Sequence, residues 1–159
     1  MIPSMMPAYE SRSDYRVLAV ALALGAVFIY AGADKIRDPL QFADSIDAFA
    51  ILPMAFINLL ALGLPVFEIV CGVLLIAPWT RRIGALALAL SSAVFFFALL
   101  SALLRGLTLD CGCFGSGAPS RSRMWFELGL DLVLFSASLF VYFRSLKPWY
   151  SRRGLLQDP

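Results

Sequence analysis

The stretch Ile83–Leu104, IGALALALSSAVFFFALLSALL, carries no charged residue. Wound as an α-helix, a run of this length meets the ~20 apolar residues that cross a hydrocarbon layer of ~30 Å. Three further runs of the same kind are Val17–Ala33, Ala55–Trp79 and Met124–Phe143, the second and fourth interrupted by one or two acids. The chain of 159 residues is 60% hydrophobic and 15% charged, whereas a soluble domain averages about 45–50% and about 25%. A water-soluble core does not absorb that excess. The fold class that follows is all-α: an integral membrane four-helix bundle embedded in the lipid bilayer.

Composition also limits the chemistry. With no histidine, imidazole bases and His-ligated metals are excluded, and neither a Gly-rich phosphate loop nor a G-x-S-x-G element is present. A net charge of +2, with the basic residues flanking the spans, suits lipid headgroups and leaves no basic face for nucleic acid. Chemistry therefore falls to thiols, carboxylates or a bound cofactor. No motif marks a cofactor; a quinone is compatible with a membrane thiol system, but no residue singles it out.

The polar ends, residues 1–15 and 144–159, flank one transmembrane domain over 16–143. Between spans two and three only Thr80-Arg81-Arg82 intervene, a tight antiparallel hairpin. Of the 13 Lys and Arg residues, eight (Arg12, Arg16, Arg81, Arg82, Arg144, Lys147, Arg152, Arg153) lie on the side of the termini, and five (Lys35, Arg37, Arg105, Arg121, Arg123) lie opposite. The positive-inside bias places both termini in the cytoplasm of a bacterial inner-membrane protein, with loops 34–54 and 105–123 outside. Arg12 and Arg16 ahead of an apolar run ending Ala31-Gly32-Ala33 also have the form of a cleavable signal, but the run is long for one.

In the first outer loop Asp38 is positioned to cap a helix with Pro39 at its first turn. Phe42, Ile46 and Phe49 then fall at i, i+4, i+7, opposite Asp44 and Asp47, which predicts a short amphipathic helix on the membrane surface ended by Pro53.

Leu109-Asp110-Cys111-Gly112-Cys113-Phe114-Gly115 lies in the second outer loop. A disulfide needs Cα atoms roughly 4.4–6.8 Å apart, which residues i and i+2 reach only by bending, and Gly112 permits the bend. Such a bridge is strained, and strained, exposed disulfides exchange with other thiols, so Cys111 and Cys113 form a candidate redox pair. The alternatives are a static bridge or a thiol metal site; a ring this small removes little unfolded-chain entropy, so pure stabilisation is weakly motivated. Cys71, inside the second span, reads as a buried small hydrophobe.

Ionisable groups inside a membrane are costly and face the bundle interior, which makes Glu68 and Asp131 candidates. Glu68 follows Pro65 by three residues, where a kink would open space for water or ligand. Glu127, Asp131, Ser138 and Tyr142, at spacings of four, seven and four, draw one polar stripe along the fourth helix. Lys35, at the outer end of the first span, is a partner for either Asp131 or Glu68. A structural ion pair and a proton-handling site are equal readings of this group.

The ordered set Ala31-Gly32-Ala33-Asp34-Lys35 with Pro39 and Phe42, Leu52-Pro53, Pro65-x-x-Glu68 with Gly72, and Cys111-Gly112-Cys113-Phe114-Gly115 resembles the methylamine-utilisation MauE family, of the DoxX-like membrane protein superfamily. It extends over about Val17 to Phe143. The resemblance implies a four-helix membrane protein acting in maturation of methylamine dehydrogenase with a thioredoxin-like extracytoplasmic partner. Cys111 and Cys113 would then exchange disulfides while Glu68, Asp131 and Lys35 hold or protonate a site in the bundle. The competing readings are a soft-metal or small-molecule transporter, and a non-catalytic anchor of an oxidoreductase complex.

Overall fold

A computed structural model describes residues 10–109 and 120–154, and side chains over 15–109 and 120–146. The described residues form five helices and no strand: α1 (Glu10–Arg37), α2 (Pro39–Ala48), α3 (Met54–Ile76), α4 (Arg81–Leu104) and α5 (Arg121–Gly154). All but α2 are long and apolar enough to cross a membrane. The protein is thus a multi-pass, all-α membrane protein, with α2 set between the first two spans.

The helix ends follow local chemistry. The Asp38 carboxylate accepts from the Gln41 N–H at 3.0 Å and Pro39 opens α2, which buries Phe42, half-buries Ile46 and exposes Asp44 and Asp47. Two expectations are corrected here. α2 ends at Ala48 and the chain turns through Ala50 at φ 50°, while Pro53 serves as N-cap of α3. The non-helical link between α3 and α4 is 77–80, because Pro78 drives Ala77 into extended backbone (φ −72°, ψ 127°) and stops α3 one turn early. Arg81 then opens α4, and its guanidinium closes α3 by donating to the carbonyls of Leu75 and Ile76.

α1 and α5 run past their apolar stretches. α1 continues to Arg37 because Lys35 turns inward, leaving no reason for the helix to end at the hydrocarbon edge. α4 ends at Leu104, and Gly106 just past its C-cap Arg105 takes a φ of 76° that suits glycine: Leu107 N–H reaches the Ala102 carbonyl at 3.0 Å and Gly106 N–H the Leu103 carbonyl at 3.1 Å.

α1 packs along α3 and α4 along α5, with α3 against α4 joining the pairs. Glycines permit the close approach. A Cβ on Gly32 would lie 2.7 Å from the Pro65 carbonyl oxygen, and one on Gly25 would lie 2.9 Å from the Gly72 oxygen. Such contacts replace the hydrophobic driving force that is missing between helices in lipid. Gly32 fills the space at the Pro65 carbonyl, while Leu60, Leu64 and Phe67 on another face of α3 line an open groove. Along the bundle axis one apolar layer contains Phe28, Cys71, Leu75, Leu88 and Leu134. Another contains Leu99, Leu103, Leu109, Met124 and Leu128. Glu68, Ser92 and Asp131 occupy α3, α4 and α5 between these layers.

Gly32→Ala is therefore expected to overpack the α1–α3 seam and destabilise the bundle by about 1–3 kcal/mol, because the obstruction is backbone. Gly63→Ala, with nothing within 4 Å of its added carbon, should be neutral or stabilising. Thermal unfolding of the two variants in detergent micelles checks the contrast.

Candidate functional site

α1 and α3 run antiparallel, so Lys35 and Glu68 stand one turn to either side of the Gly32–Pro65 contact, and their side chains lean back toward their own helix N-termini to meet across it. Lys35 Nζ donates to both carboxylate oxygens of Glu68, at 2.8 and 2.7 Å, and both residues are buried, 5% and 2% exposed. Of the two partners open to Lys35, Glu68 is the one it takes. Phe42 from α2 and Phe95 from α4 flank the ammonium, their ring centroids 5.3 and 5.4 Å from Nζ. A cation held over ring faces at such distances is stabilised by the ring quadrupoles. Helices α1, α2, α3 and α4 all contribute to this one charge.

Asp131 approaches from α5, 8% exposed, close enough to interact electrostatically with Lys35, Glu68 and Glu127. It forms no hydrogen bond or ion pair with any described residue. Glu127, one turn earlier, is buried; its Oε1 accepts from Arg123 Nε at 3.2 Å and its Oε2 has no partner among the described residues. The hydroxyls of Ser92 and Ser138 are also buried without a partner among the described residues. The stripe on α5 faces inward at Glu127, Asp131 and Ser138, and Tyr142 is half-buried.

A bidentate ion pair in this setting does not account for itself through stability. Removing two charges from water costs several kcal/mol per ion, and well-packed apolar residues often replace such pairs at no loss. One ammonium facing two carboxylates, with unsatisfied oxygens nearby, suits proton transfer or the recognition of a polar group. Among the described residues no group of three His, Cys, Asp or Glu side chains is placed to hold a metal.

Cys111 and Cys113 lie outside the described residues. Their flanks are described. Leu109 is buried in the apolar layer of Leu99, Leu103, Met124 and Leu128, and its N–H points to Met124 Sδ at 3.3 Å. Phe49, at the end of α2, packs against that same layer, and the Arg105 guanidinium donates to its carbonyl oxygen. Cys71 is 4% exposed among Leu75, Ala85 and Leu88, a core thiol.

Sequence reasoning found Lys35, Glu68 and Asp131 but not the rings around the ammonium. Phe42 was legible only as the apolar face of α2, and Phe95 is one of three consecutive phenylalanines with no signal to separate it from its neighbours. The Ser91-Ser92 pair interrupting an otherwise apolar run was a signal left unused.

Fold and site together define a multi-pass helical membrane protein with a buried lysine–carboxylate centre inside a four-helix bundle. Residues 13–144 match the family described as methylamine utilisation protein MauE, and the chain belongs to that family. No curated protein and no solved structure matches the chain.

Lys35→Met and Glu68→Leu should each destabilise the bundle by about 3–5 kcal/mol, since each leaves one charge buried without its partner. The double variant should recover most of that loss. Unfolding midpoints of the three variants in micelles test this pattern, and additive losses would show that the pair is not coupled.

Proposed function

We propose that this protein supports disulfide formation in extracytoplasmic client proteins, with Cys111 and Cys113 exchanging disulfides with a thioredoxin-like partner. Membership of the MauE family supports the methylamine-utilisation setting. In that setting the client is an extracytoplasmic protein rich in disulfides, such as the small subunit of methylamine dehydrogenase. The protein sits in the bacterial inner membrane with both termini cytoplasmic, following the uneven distribution of Lys and Arg, and the Cys-Gly-Cys loop faces the oxidising compartment.

One observation carries the reading: both flanks of the cysteine loop are anchored on the apolar layer that adjoins the buried centre. Leu109, two residues before Cys111, and Met124, on the first turn of α5, belong to that layer. Asp131 follows Met124 by two helical turns on the same helix, so the flanks of the cysteine loop and the proton-handling groups share one end of the bundle. Thiol–disulfide exchange needs a thiolate and somewhere to put its proton. Glu68, Asp131 and Lys35 supply that place, while Arg105, Arg121 and Arg123 at the loop margins favour the thiolate.

In cells, removing one cysteine should leave the other trapped as a mixed disulfide with a soluble partner, because the resolving thiol is gone. Acid-quenched, non-reducing electrophoresis of Cys111→Ser and Cys113→Ser is expected to show an adduct for one variant that reductant dissolves. If neither variant gives an adduct and the double variant retains full activity, the cysteines only shape a docking loop.

A further inference from the structure

A groove of about 590 Å³ opens between α2, α3 and α4, within the size range of ligand pockets. Its walls are apolar, with Phe49 beside α2, Leu64 and Phe67 on α3, and Phe95 on α4. Ser91 is the one polar residue along it, and that hydroxyl is buried in the protein, out of reach of an occupant. Leu90 and Val94 on the same wall are exposed, so the groove is continuous with the lipid-facing surface. A trough that offers apolar surface and no accessible hydrogen-bonding group suits a hydrocarbon chain.

Depth and charge narrow the occupant further. From Ala87 to Ala98 the α4 wall runs about 16 Å at ~1.5 Å per residue, close to the ~15 Å that one leaflet takes of a ~30 Å hydrocarbon layer. Arg105 follows Ala98 by roughly 10 Å along the same helix, near the level of a headgroup layer that adds roughly 5–8 Å per side. Its Nε leans back to the Ser101 carbonyl at 3.4 Å, toward the groove, and its Nη2 donates to the carbonyl of Phe49 on the groove wall. Arg105 is exposed, and no carboxylate among the described residues pairs with it. The end of the groove nearest the membrane surface thus carries an uncompensated guanidinium, whose planar fork of donors matches a phosphate.

We propose that this groove holds one acyl chain of a bilayer phospholipid whose phosphate is bound by Arg105. The chain lies against Phe95, whose ring also flanks the Lys35 ammonium, and against Phe49, which packs on the layer of Leu99, Leu103 and Leu109. A filled groove therefore supports a ring that flanks the buried ion pair and the end of the helix that covers it. No thiol chemistry enters the proposal, so it stands or falls apart from the reading above.

The test uses protein stripped of lipid in dodecyl maltoside, titrated with dioleoyl phosphatidylethanolamine, with bound lipid counted by native mass spectrometry. One saturable site per chain is expected. Arg105→Gln should weaken the phospholipid about 10-fold, the loss of a charge-assisted hydrogen bond. Dioleoylglycerol, with the same chains and no phosphate, should bind parent and Arg105→Gln alike, whereas a displaced α2 would weaken both lipids equally. Ala98→Trp, which fills the groove, should abolish the site, and Ala87→Leu gives the same test with a smaller side chain should the tryptophan variant fail to fold. Oleate, a single chain with a carboxylate, is expected to bind more weakly than the phospholipid. Non-saturable uptake, affinity indifferent to the filled variants, equal loss of both lipids in Arg105→Gln, or oleate binding as tightly as the phospholipid would overturn the proposal.

Discussion

A charged ammonium held inside a lipid-embedded bundle is the constraint on which the rest of this structure depends. Lys35 is 5% exposed, and its solvation shell is replaced by two Glu68 oxygens and two phenylalanine rings. Those groups come from α2, α3 and α4, so one nitrogen atom of α1 is in contact with three other helices. Glu68 alone would be an uncompensated charge at hydrocarbon depth, and Lys35 alone likewise.

Backbone contact makes this arrangement possible. The approach of Gly32 to the Pro65 carbonyl sets the α1–α3 register, and with it the reach of Lys35 back across that contact to Glu68 on the antiparallel α3. Gly84 does the same for α4 against α3, where a Cβ would lie 2.7 Å from the Leu75 nitrogen. Apolar layers above and below close the site, leaving a polar stratum into which Asp131 is brought by α5. Each link runs from a small residue to a helix register, and from there to a pair of charges.

Much of this was legible in the residues. Hydropathy located all four spans, and Asp38-Pro39 with Phe42 and Ile46 announced α2 correctly. The cost of charge within the membrane singles out Glu68 and Asp131 from the residues alone. Three things were not legible, for physical reasons. A lysine near a helix end faces either the headgroups or the core, and only the tertiary position of Glu68 decides between them. Pro65 reads as a kink that opens space, but space beside a proline is also where a glycine on another helix fits. Three successive phenylalanines on α4 point in three directions, and pattern alone does not say which one meets the ammonium.

The proposed role of the buried pair in thiol exchange, beyond structure, is open to direct test. In cells carrying the Lys35→Met/Glu68→Met double variant, the helices keep their packing, so protein level and unfolding midpoint serve as internal controls. The quantity to measure is the fraction of client cysteines in disulfides, read by alkylation and gel shift after acid quenching. A folded, normally abundant double variant with client thiols left reduced is the expected result. The same variant with fully oxidised client would contradict a functional role and leave the pair as a structural device alone.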